Sequence, residues 1–252
     1  MTRRAAVAKT YKLYLGGAFV RSESGRTYPA EGFEVPRGSR KDVRDAVKAA
    51  RGAFPGWSGK TAYNRGQVLY RFAEALESRG WGEDEAVDLL VHYAGWTDKL
   101  AAVMGGINPV AAPYLSFSVP EPTGVVAVIA PDEPDVLGLI REVAPALAAG
   151  NTVVAIVSRT HPLRALDLGE VAGVSDIPGG VLNLLSGRLD ELLKPLCGHR
   201  DVNAIVDTTG SAMVDELAAE TVKRVTRPSG EDTLARLEAL TELKTAWHPI
   251  GA

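Results

Sequence analysis

The chain has 252 residues, 46% of them hydrophobic, which is enough to bury a substantial core as one large domain or two small ones. Its formal net charge of -3 and pI near 5.9 provide no positive field for nucleic acid or an anionic membrane, so neither partner is expected. One cysteine excludes an internal disulfide framework, and the lack of a signal pattern or of an apolar run of about 18 residues predicts a cytoplasmic protein.

The first thirty residues predict little regular structure. Residues 1–10 are expected to form a flexible N-terminus. Within Tyr11–Val20, Gly16 and Gly17 separate two strand-like pieces, which predicts a β-hairpin. Ser22–Pro29 is rich in serine, glycine and arginine and is predicted to be a surface loop.

Helices are predicted for the next segments. Ser39 is a suitable N-cap, with an acidic residue three positions on, for a helix that continues to Ala53 and is ended by Pro55–Gly59. Thr61–Arg79 and Glu83–Met104 carry apolar residues at helical spacing and predict two further amphipathic helices.

The centre of the chain predicts a βαβ unit. Asn108–Val119 alternates unevenly and contains two prolines, which predicts an exposed or edge strand. Gly124–Ala130 is a continuous apolar run typical of a strand buried on both faces. Val136–Ala149 has helical spacing and stops at Gly150, and Thr152–Val157 is a second buried strand. Strand, helix and strand over this length require a parallel pair with a right-handed crossover.

Strands and helices continue to alternate downstream. The predicted elements are helix Pro162–Ala172, strand Val181–Leu185, helix Asp190–Cys197, strand Asn203–Val206, helix Thr209–Val222, strand Arg224–Thr226, helix Thr233–Leu240 and strand Thr241–Ile250. This alternation predicts an α/β fold with a Rossmann-like, doubly wound parallel sheet in three αβα layers.

No standard motif identifies a ligand. The chain has no G-x-G-x-x-G after a strand, no P-loop, no H-E-x-x-H and no C-x-x-C. The four histidines are scattered, so no metal site is expected. Cys197, in a helix with no basic partner in view, is interpreted as an inert thiol rather than a nucleophile.

Two loops remain open to more than one interpretation. An acidic cluster, Asp132, Glu133 and Asp135, follows a strand at the edge where open α/β sheets bind ligands. It could be a carboxylate pair for acid–base chemistry, a metal site, or a solvated turn that caps the next helix. Thr208 and the Gly210–Ser211 pair at a helix start fit either a phosphate-binding turn or ordinary capping.

Several stretches resemble the aldehyde dehydrogenase superfamily, in the right order over residues 11–226. They are YLGGAFVRSESGRTYP, DVRDAVKAARGAFPGWS, NRGQVLYRFAEALESR, EPTGVVAVIAP, APALAAGNTVV, IPGGVLNLLSG and VKRVT. The segments PDEPDVLG, SRTHPLRALDL and KTAWHPIG are similar to the second, non-catalytic module of the two-module aldehyde dehydrogenase family numbered sixteen, here without the catalytic domain.

The family's oxyanion donor and ribose clamp have no counterpart at the matching positions. Where the resembled enzymes place an asparagine amide, this chain has Glu133, whose carboxylate would repel a developing oxyanion. The family's Lys-Pro-x-Glu corresponds to residues 156–159. Ile156 cannot form a hydrogen bond with a ribose. Arg159 takes the position of the glutamate that accepts from the ribose, and it can only donate, although it could bind a 2′-phosphate.

The phosphate turn, the base and the nucleophile are also altered. The family's Phe-Thr-Gly-Ser turn corresponds to a segment one residue out of register, in which Asp207 adds negative charge. Pro228 takes the position of the glutamate base and cannot accept a proton. Cys197 precedes the region in which the family has its nucleophile, so no catalytic residue is expected.

The resemblance implies a domain organisation and a structural role. Residues 11–230 would form the nucleotide-binding domain, with flap strands inside 108–123, and residues 231–252 a linker and a C-terminal flap strand. The hypothesis is a non-catalytic pseudoenzyme, without a bound cofactor, that forms a homodimer or associates with a catalytic aldehyde dehydrogenase chain. The alternative is an NAD- or NADP-binding oxidoreductase that contacts the nucleotide through Arg159, Gly210 and Ser211.

Overall fold

A computed structural model describes residues 7–227, residue 230 and residues 233–250. The expected flexibility of residues 1–6 therefore lies outside the described part of the chain and stays a prediction. From residue 7 onward the N-terminal segment contacts the folded domain, because the Lys9 ammonium donates to Asp167 and Glu170 at 2.7 Å each.

The first hairpin is the predicted one. β1 (Leu13–Leu15) and β2 (Ala18–Val20) pair antiparallel. Gly16 and Gly17 make the turn with φ of +62° and +86°, which side chains other than glycine rarely adopt.

A second hairpin replaces part of the predicted loop. β3 (Thr27–Ala30) pairs antiparallel with β4 (Phe33–Pro36), so the prediction of a loop across Ser22–Pro29 is wrong at its C-terminal end. Pro29 can lie in this strand because the sheet has only two strands and every position is at an edge.

Helix α1 (Arg40–Ser58) begins where predicted but ends later. Ser39 and Asp42 form a reciprocal capping box, with hydrogen bonds of 3.3 Å and 2.8 Å. The predicted last residue, Ala53, is wrong, and the helix ends only at the C-terminal end of the Pro55–Gly59 segment, with Gly59 as its C-cap. The last turn continues because Trp57 is fully buried and donates its indole N–H to the Leu147 carbonyl at 3.2 Å.

The next three helices come from two predicted segments. α2 spans Ala62–Glu77, as expected from its apolar stripe. The single helix predicted over Glu83–Met104 is instead α3 (Asp84–Trp96) and α4 (Leu100–Met104). Thr97 lies at the break, where its hydroxyl donates to the Ala94 carbonyl at 2.9 Å.

Two strands precede the central sheet. They are β5 (Gly106–Asn108) and β6 (Tyr114–Pro122). The prolines at 109 and 113 lie in the connection between them, not in either strand.

The alternating elements predicted downstream are all present. They are β7 (Val125–Ile129), α5 (Asp135–Ala148), β8 (Thr152–Ile156), α6 (Pro162–Val174), β9 (Leu182–Leu185), α7 (Leu189–Cys197), β10 (Ala204–Asp207), α8 (Ala212–Ala219) and β11 (Arg224–Thr226). The predicted helix start at Thr209 is wrong, since residues 208–211 form the loop before α8. α9 (Thr233–Ala239) and β12 (Thr241–Pro249) complete the chain.

The main sheet has seven strands in the order β11-β10-β7-β8-β9-β1-β2. The five strands from β11 to β9 are parallel, and β1 joins antiparallel to β9. One apolar cluster lies against α2, α3, α5 and α6 and another against α1, α7 and α8, so helices cover both faces. This is the predicted three-layer, doubly wound α/β fold.

A separate sheet, here called the flap, consists of β5, β6 and β12 in the order β12-β6-β5. β6 is therefore its middle strand. The prediction of an exposed or edge strand in Asn108–Val119 is wrong about the edge, because both prolines precede β6, but the strand is exposed at Tyr114, Leu115 and Val119. The predicted flap range of 108–123 also misses most of β5. Among the described residues, none of the helices is long and apolar enough to cross a membrane.

Candidate functional site at the sheet switch point

The sheet order identifies where a ligand of this fold class would bind. From β7 the chain proceeds to β8 and β9 on one side and later returns to β10 and β11 on the other. In open α/β sheets, ligands bind at the carboxyl ends of the strands where the order reverses. That crevice lies between the loop after β7, residues 130–134, and the loop after β10, residues 208–211.

The loop after β7 is held by Asp132. Its Oδ1 accepts hydrogen bonds from the Arg159 amide at 2.9 Å, the Ser158 hydroxyl at 3.1 Å and the Thr160 amide at 3.4 Å. Burial acts to raise the pKa of Asp132, but these donors outweigh it and the pKa lies below its ordinary value. The Asp132 carboxylate therefore connects the loop after β7 to the loop after β8.

The acidic cluster does not cap the next helix through a side-chain hydrogen bond, because the N-cap of α5 is Pro134 and no side chain caps the helix. The solvated-turn interpretation holds otherwise, since Asp132 and Glu133 are exposed and Asp135 lies in the first turn of α5, where the helix dipole favours negative charge. Glu133 points to solvent and has His161 as its polar contact, at 3.1 Å. Within the described ranges there is no cluster of three or more His, Cys, Asp or Glu side chains that could hold a metal ion.

The ribose positions are apolar or exposed. Ile156 is 1% exposed and packs in the core between the sheet and α1. The Arg159 side chain is at the surface, and its guanidinium makes no hydrogen bond to any residue that the structure describes.

A half-buried tyrosine near this edge is absent from the sequence-based prediction. Burial raises the pKa of Tyr28 to about 12, partly offset by the positive charge of Arg159. No sequence pattern indicates this residue, because Tyr28 lies in β3, within the segment predicted to be a loop.

The turn after β10 is closed by its own carboxylate. Asp207 is 1% exposed, and its Oδ1 accepts from the Thr209 amide at 2.9 Å and the Thr209 hydroxyl at 2.6 Å. The Ser211 amide donates to the Thr209 hydroxyl at 3.3 Å. Two amides that could bind a phosphate are therefore used within the turn.

Arg227 supplies the positive charge opposite Asp207. Its Nη2 lies 3.2 Å from Asp207 Oδ2, an ion-pair contact without hydrogen-bond geometry, and donates to both Asp215 oxygens at 2.9 Å. Sequence reasoning missed this pair because β10 and β11 become neighbours only in the folded sheet. The arginine joins the ends of both strands to α8.

The three candidate nucleotide contacts share one edge but do not form a cluster. Arg159 follows β8, and Gly210 and Ser211 follow β10, with β7 between those strands. At about 4.8 Å per strand, the two loops begin roughly 10 Å apart. Gly210 is exposed with φ of +67°, and Ser211 is the N-cap of α8 without a side-chain capping bond.

The single cysteine lies in the apolar core. Cys197 is fully buried, and burial, with a smaller contribution from Asp207, raises its pKa to about 12. Pro228, at the position of the family's base, lies outside the described residues. Two grooves of about 550 and 560 Å³ lie along α3, and neither is lined by residues of the carboxyl edge.

The parallel sheet with its switch point defines a domain with a Rossmann-like, doubly wound α/β fold. The model of the aldehyde dehydrogenase family matches residues 29–82 and 78–231, and the chain belongs to that family. It is 32% identical to the mitochondrial aldehyde dehydrogenase family 2 member B4 of Arabidopsis thaliana, over 87% of this chain and 46% of that protein. It is also 32% identical to the cytosolic 10-formyltetrahydrofolate dehydrogenase of Mus musculus, over 90% of this chain and 29% of that protein.

Solved structures of the family have the same fold. PnpE in complex with nicotinamide adenine dinucleotide matches with a TM-score of 0.80 and 29% identity, over 85% of this chain and 50% of that one. The NAD+ complex of the aldehyde dehydrogenase from Bacillus cereus matches with a TM-score of 0.79 and 26% identity, over 86% of this chain and 50% of that one. The chain spans about half the length of these structures and of the Arabidopsis thaliana relative, and 29% of the Mus musculus one. The expectation that it binds no cofactor gains no support from these neighbours.

Proposed function

We propose that this chain is a non-catalytic member of the aldehyde dehydrogenase family that acts as a structural partner. One observation carries the proposal: the donors at the switch point are used internally. Asp132 accepts from the loop after β8, and Asp207 accepts from the turn after β10. A dinucleotide would have to break these bonds to reach the amides.

The charge at this edge also opposes a dinucleotide. A pyrophosphate is anionic, and the two loops carry Asp132, Glu133 and the buried Asp207. The guanidinium of Arg227 lies nearby, but it is paired with Asp207 and Asp215. Because like charges at short range raise the free energy of binding, the residues of this edge do not fit NAD.

The chemistry of aldehyde oxidation lacks its groups in this chain. A thiolate nucleophile is required, and the single cysteine is a buried thiol with a raised pKa. Glu133 replaces the oxyanion donor at the matching position, and repulsion there costs more than the factor of about 10²–10³ for loss of one donor. These replacements support a role without turnover.

The flap supports a role in assembly. Ile107, Leu243 and Trp247 are 76%, 57% and 59% exposed on its strands. Large exposed apolar side chains on a sheet edge favour association with another chain. We propose a homodimer, or association with a catalytic aldehyde dehydrogenase chain, in the cytoplasm.

The test is to combine an activity assay with capture of partners. The purified chain, given NAD or NADP and a panel of aliphatic and aromatic aldehydes, should form no reduced nucleotide. Capture from its native cytoplasm should return a second copy or a catalytic aldehyde dehydrogenase. Aldehyde-dependent formation of NADH by the chain alone contradicts the proposal.

A second candidate is an NAD- or NADP-binding oxidoreductase-like module. It is favoured by the neighbours solved with NAD and by the Arg159 guanidinium, which has no hydrogen-bond partner in the described part of the chain. This guanidinium could bind a 2′-phosphate, with Gly210 and Ser211 near the pyrophosphate. Tighter binding of NADP than NAD, lost in Arg159→Ala, would favour this candidate.

A further inference from the structure

Strand β12 presents a long free edge. It runs antiparallel to β6 over Thr241–Pro249, and among the described strands it pairs with no other. Seven of its nine residues are exposed. A strand of this length with one unpaired edge is a template for another strand.

The register of β6 determines which backbone groups of β12 face outward. Leu243 lies opposite Pro120, and Thr241 lies opposite Pro122. Because proline has no N–H, these pairs cannot be hydrogen-bonded pairs of the ladder. The Ile250 amide donates to the Pro113 carbonyl at 2.9 Å, which places the even-numbered residues toward β6.

The odd-numbered residues therefore direct their N–H and C=O groups to the free edge. In the middle of the strand these residues are Leu243, Thr245 and Trp247. In antiparallel pairing about a two-fold axis at Thr245, Thr245 faces Thr245 of the second copy. Leu243 then faces Trp247, and each of these pairs can exchange two backbone hydrogen bonds.

The ends of β12 favour this register over its neighbours. With the axis at Thr245, Thr241 lies opposite Pro249, which has no N–H to offer. The Thr241 carbonyl already accepts from Arg224 at 3.0 Å, so it needs no bond from the second copy.

The two adjacent two-fold registers are less favourable. With the axis at Lys244, the Lys244 ammonium faces Lys244 of the second copy, a pair of like charges. With the axis at Ala246, Leu243 lies opposite Pro249, which has no N–H, so a central hydrogen bond is lost.

The side chains are also self-complementary in this register. On one face, Leu243 meets the aromatic Trp247, a favourable cross-strand pair. On the other face, Glu242 meets His248, so an acid faces an imidazole instead of a second acid. Like charges directly opposite each other would oppose pairing, and this register places none in that position.

We propose that β12 pairs with β12 of a second copy of this chain, antiparallel and centred on Thr245, to form a continuous six-stranded flap sheet from two three-stranded ones. The inference rests on the structural role proposed above and names its partner. It does not depend on whether the switch point binds a nucleotide.

The direct test is disulfide cross-linking of the intact chain. Residues in a hydrogen-bonded antiparallel pair have Cα atoms about 5.5 Å apart, within the range of a disulfide. Thr245→Cys should therefore form a covalent dimer under mild oxidation. The only native cysteine, Cys197, is fully buried and gives no background.

Ile107→Cys is the matched control. Ile107 lies in the middle of β5, the opposite edge of the flap, and is 76% exposed. We expect the Ile107→Cys variant to run as a monomer on a non-reducing gel after the same oxidation. Cross-linking of Ile107→Cys in preference to Thr245→Cys, or a chain that sediments as a monomer at micromolar concentration, would overturn the proposal.

A second pair of variants isolates the backbone bond. Thr245→Pro removes the outward N–H but no bond to β6, whereas Thr245→Val keeps the N–H. Both lose the same side-chain hydrogen bond to Ser118, of 2.8 Å. The dimer dissociation constant should rise at least tenfold in Thr245→Pro relative to Thr245→Val, with unchanged circular dichroism. Equal dissociation constants for the two variants would contradict the proposed register. A titration of the same variants with NAD tests the switch point independently of the dimer.

Discussion

At the scale of single residues, carboxylates hold the two loops in which a nucleotide-binding domain of this class would present free donors. Asp132 is exposed and satisfied by three donors, while Asp207 is buried and relies on Thr209 and Arg227. The same residue type therefore has different energetic consequences at the two positions.

Asp132 should contribute a small pH-dependent stability. Its pKa in the folded chain lies below the ordinary value of 3.8, so the folded state favours the ionised form. That stabilisation is present above the unfolded pKa and is lost as the pH falls through the folded pKa. Because the side chain is exposed, we expect less than about 1 kcal/mol.

Urea unfolding at pH 6 and at pH 3 checks this prediction. Asp132→Asn keeps a side-chain oxygen but cannot ionise, so it should lose less stability between the two pH values than the unmodified chain. An identical loss in both would contradict the role given to the Asp132 carboxylate.

Arg227 should matter more than other surface arginines. Arg227→Met leaves the Asp207 carboxylate buried without its counter-charge, so the denaturation midpoint should fall clearly below that of the unmodified chain. The control is Arg188→Met, which should leave the midpoint nearly unchanged, because Arg188 pairs with Asp190 at the surface with half or more of both side chains exposed. Equal midpoint shifts in chemical denaturation would contradict the prediction.

At the scale of elements, the central sheet could be predicted from the sequence because local patterns determine it. Continuous apolar runs gave β7 and β8, and Gly150, with φ of +96°, ended α5 as predicted. The errors arose where tertiary contacts override local signals. Burial of Trp57 carries α1 past Pro55, and pairing with β4 makes a strand of Thr27–Ala30.

The candidate site was less predictable than the fold. The alternation of strands and helices predicted that Arg159, Gly210 and Ser211 lie in loops at strand ends, and they do lie in the loops after β8 and β10. It could not provide the contacts of Asp207 with Arg227 or of Asp132 with the loop after β8, because these depend on which strands are neighbours.

A buried ion pair should hold α9, and through it β12, against the domain. Arg236 donates to Glu142 on α5 at 2.6 Å, and both side chains are less than a tenth exposed. Burial raises the pKa of Glu142, an effect that Arg236 partly offsets. Removing either partner alone leaves an uncompensated buried charge.

We expect Glu142→Ala or Arg236→Ala to lower the free energy of unfolding by about 3–5 kcal/mol. The double variant Glu142→Leu with Arg236→Met should recover most of that loss, because apolar residues of similar volume replace a desolvated pair. Denaturant unfolding of Glu142→Leu, Arg236→Met, their double variant and the unmodified chain forms the double-mutant cycle. Additive losses in the double variant would contradict the role of the pair.

At the scale of the whole molecule, the chain combines a complete doubly wound sheet with an exposed flap. It spans about half the length of the relatives that it matches, which are 46–51% covered in the aldehyde dehydrogenases of plant, animal and bacterial origin. The family match and the shared fold establish what this chain is similar to, whereas the proposal of a structural role rests on the residues at the carboxyl edge and on the flap.

The most direct measurement is a calorimetric titration of the chain with NAD. Internal use of the amides after β8 and β10, together with the charges of Asp132, Glu133 and Asp207, predicts no saturable heat up to millimolar NAD. Binding at micromolar concentration, with the adenosine beside Ile156 in a crystal of the complex, would contradict the account.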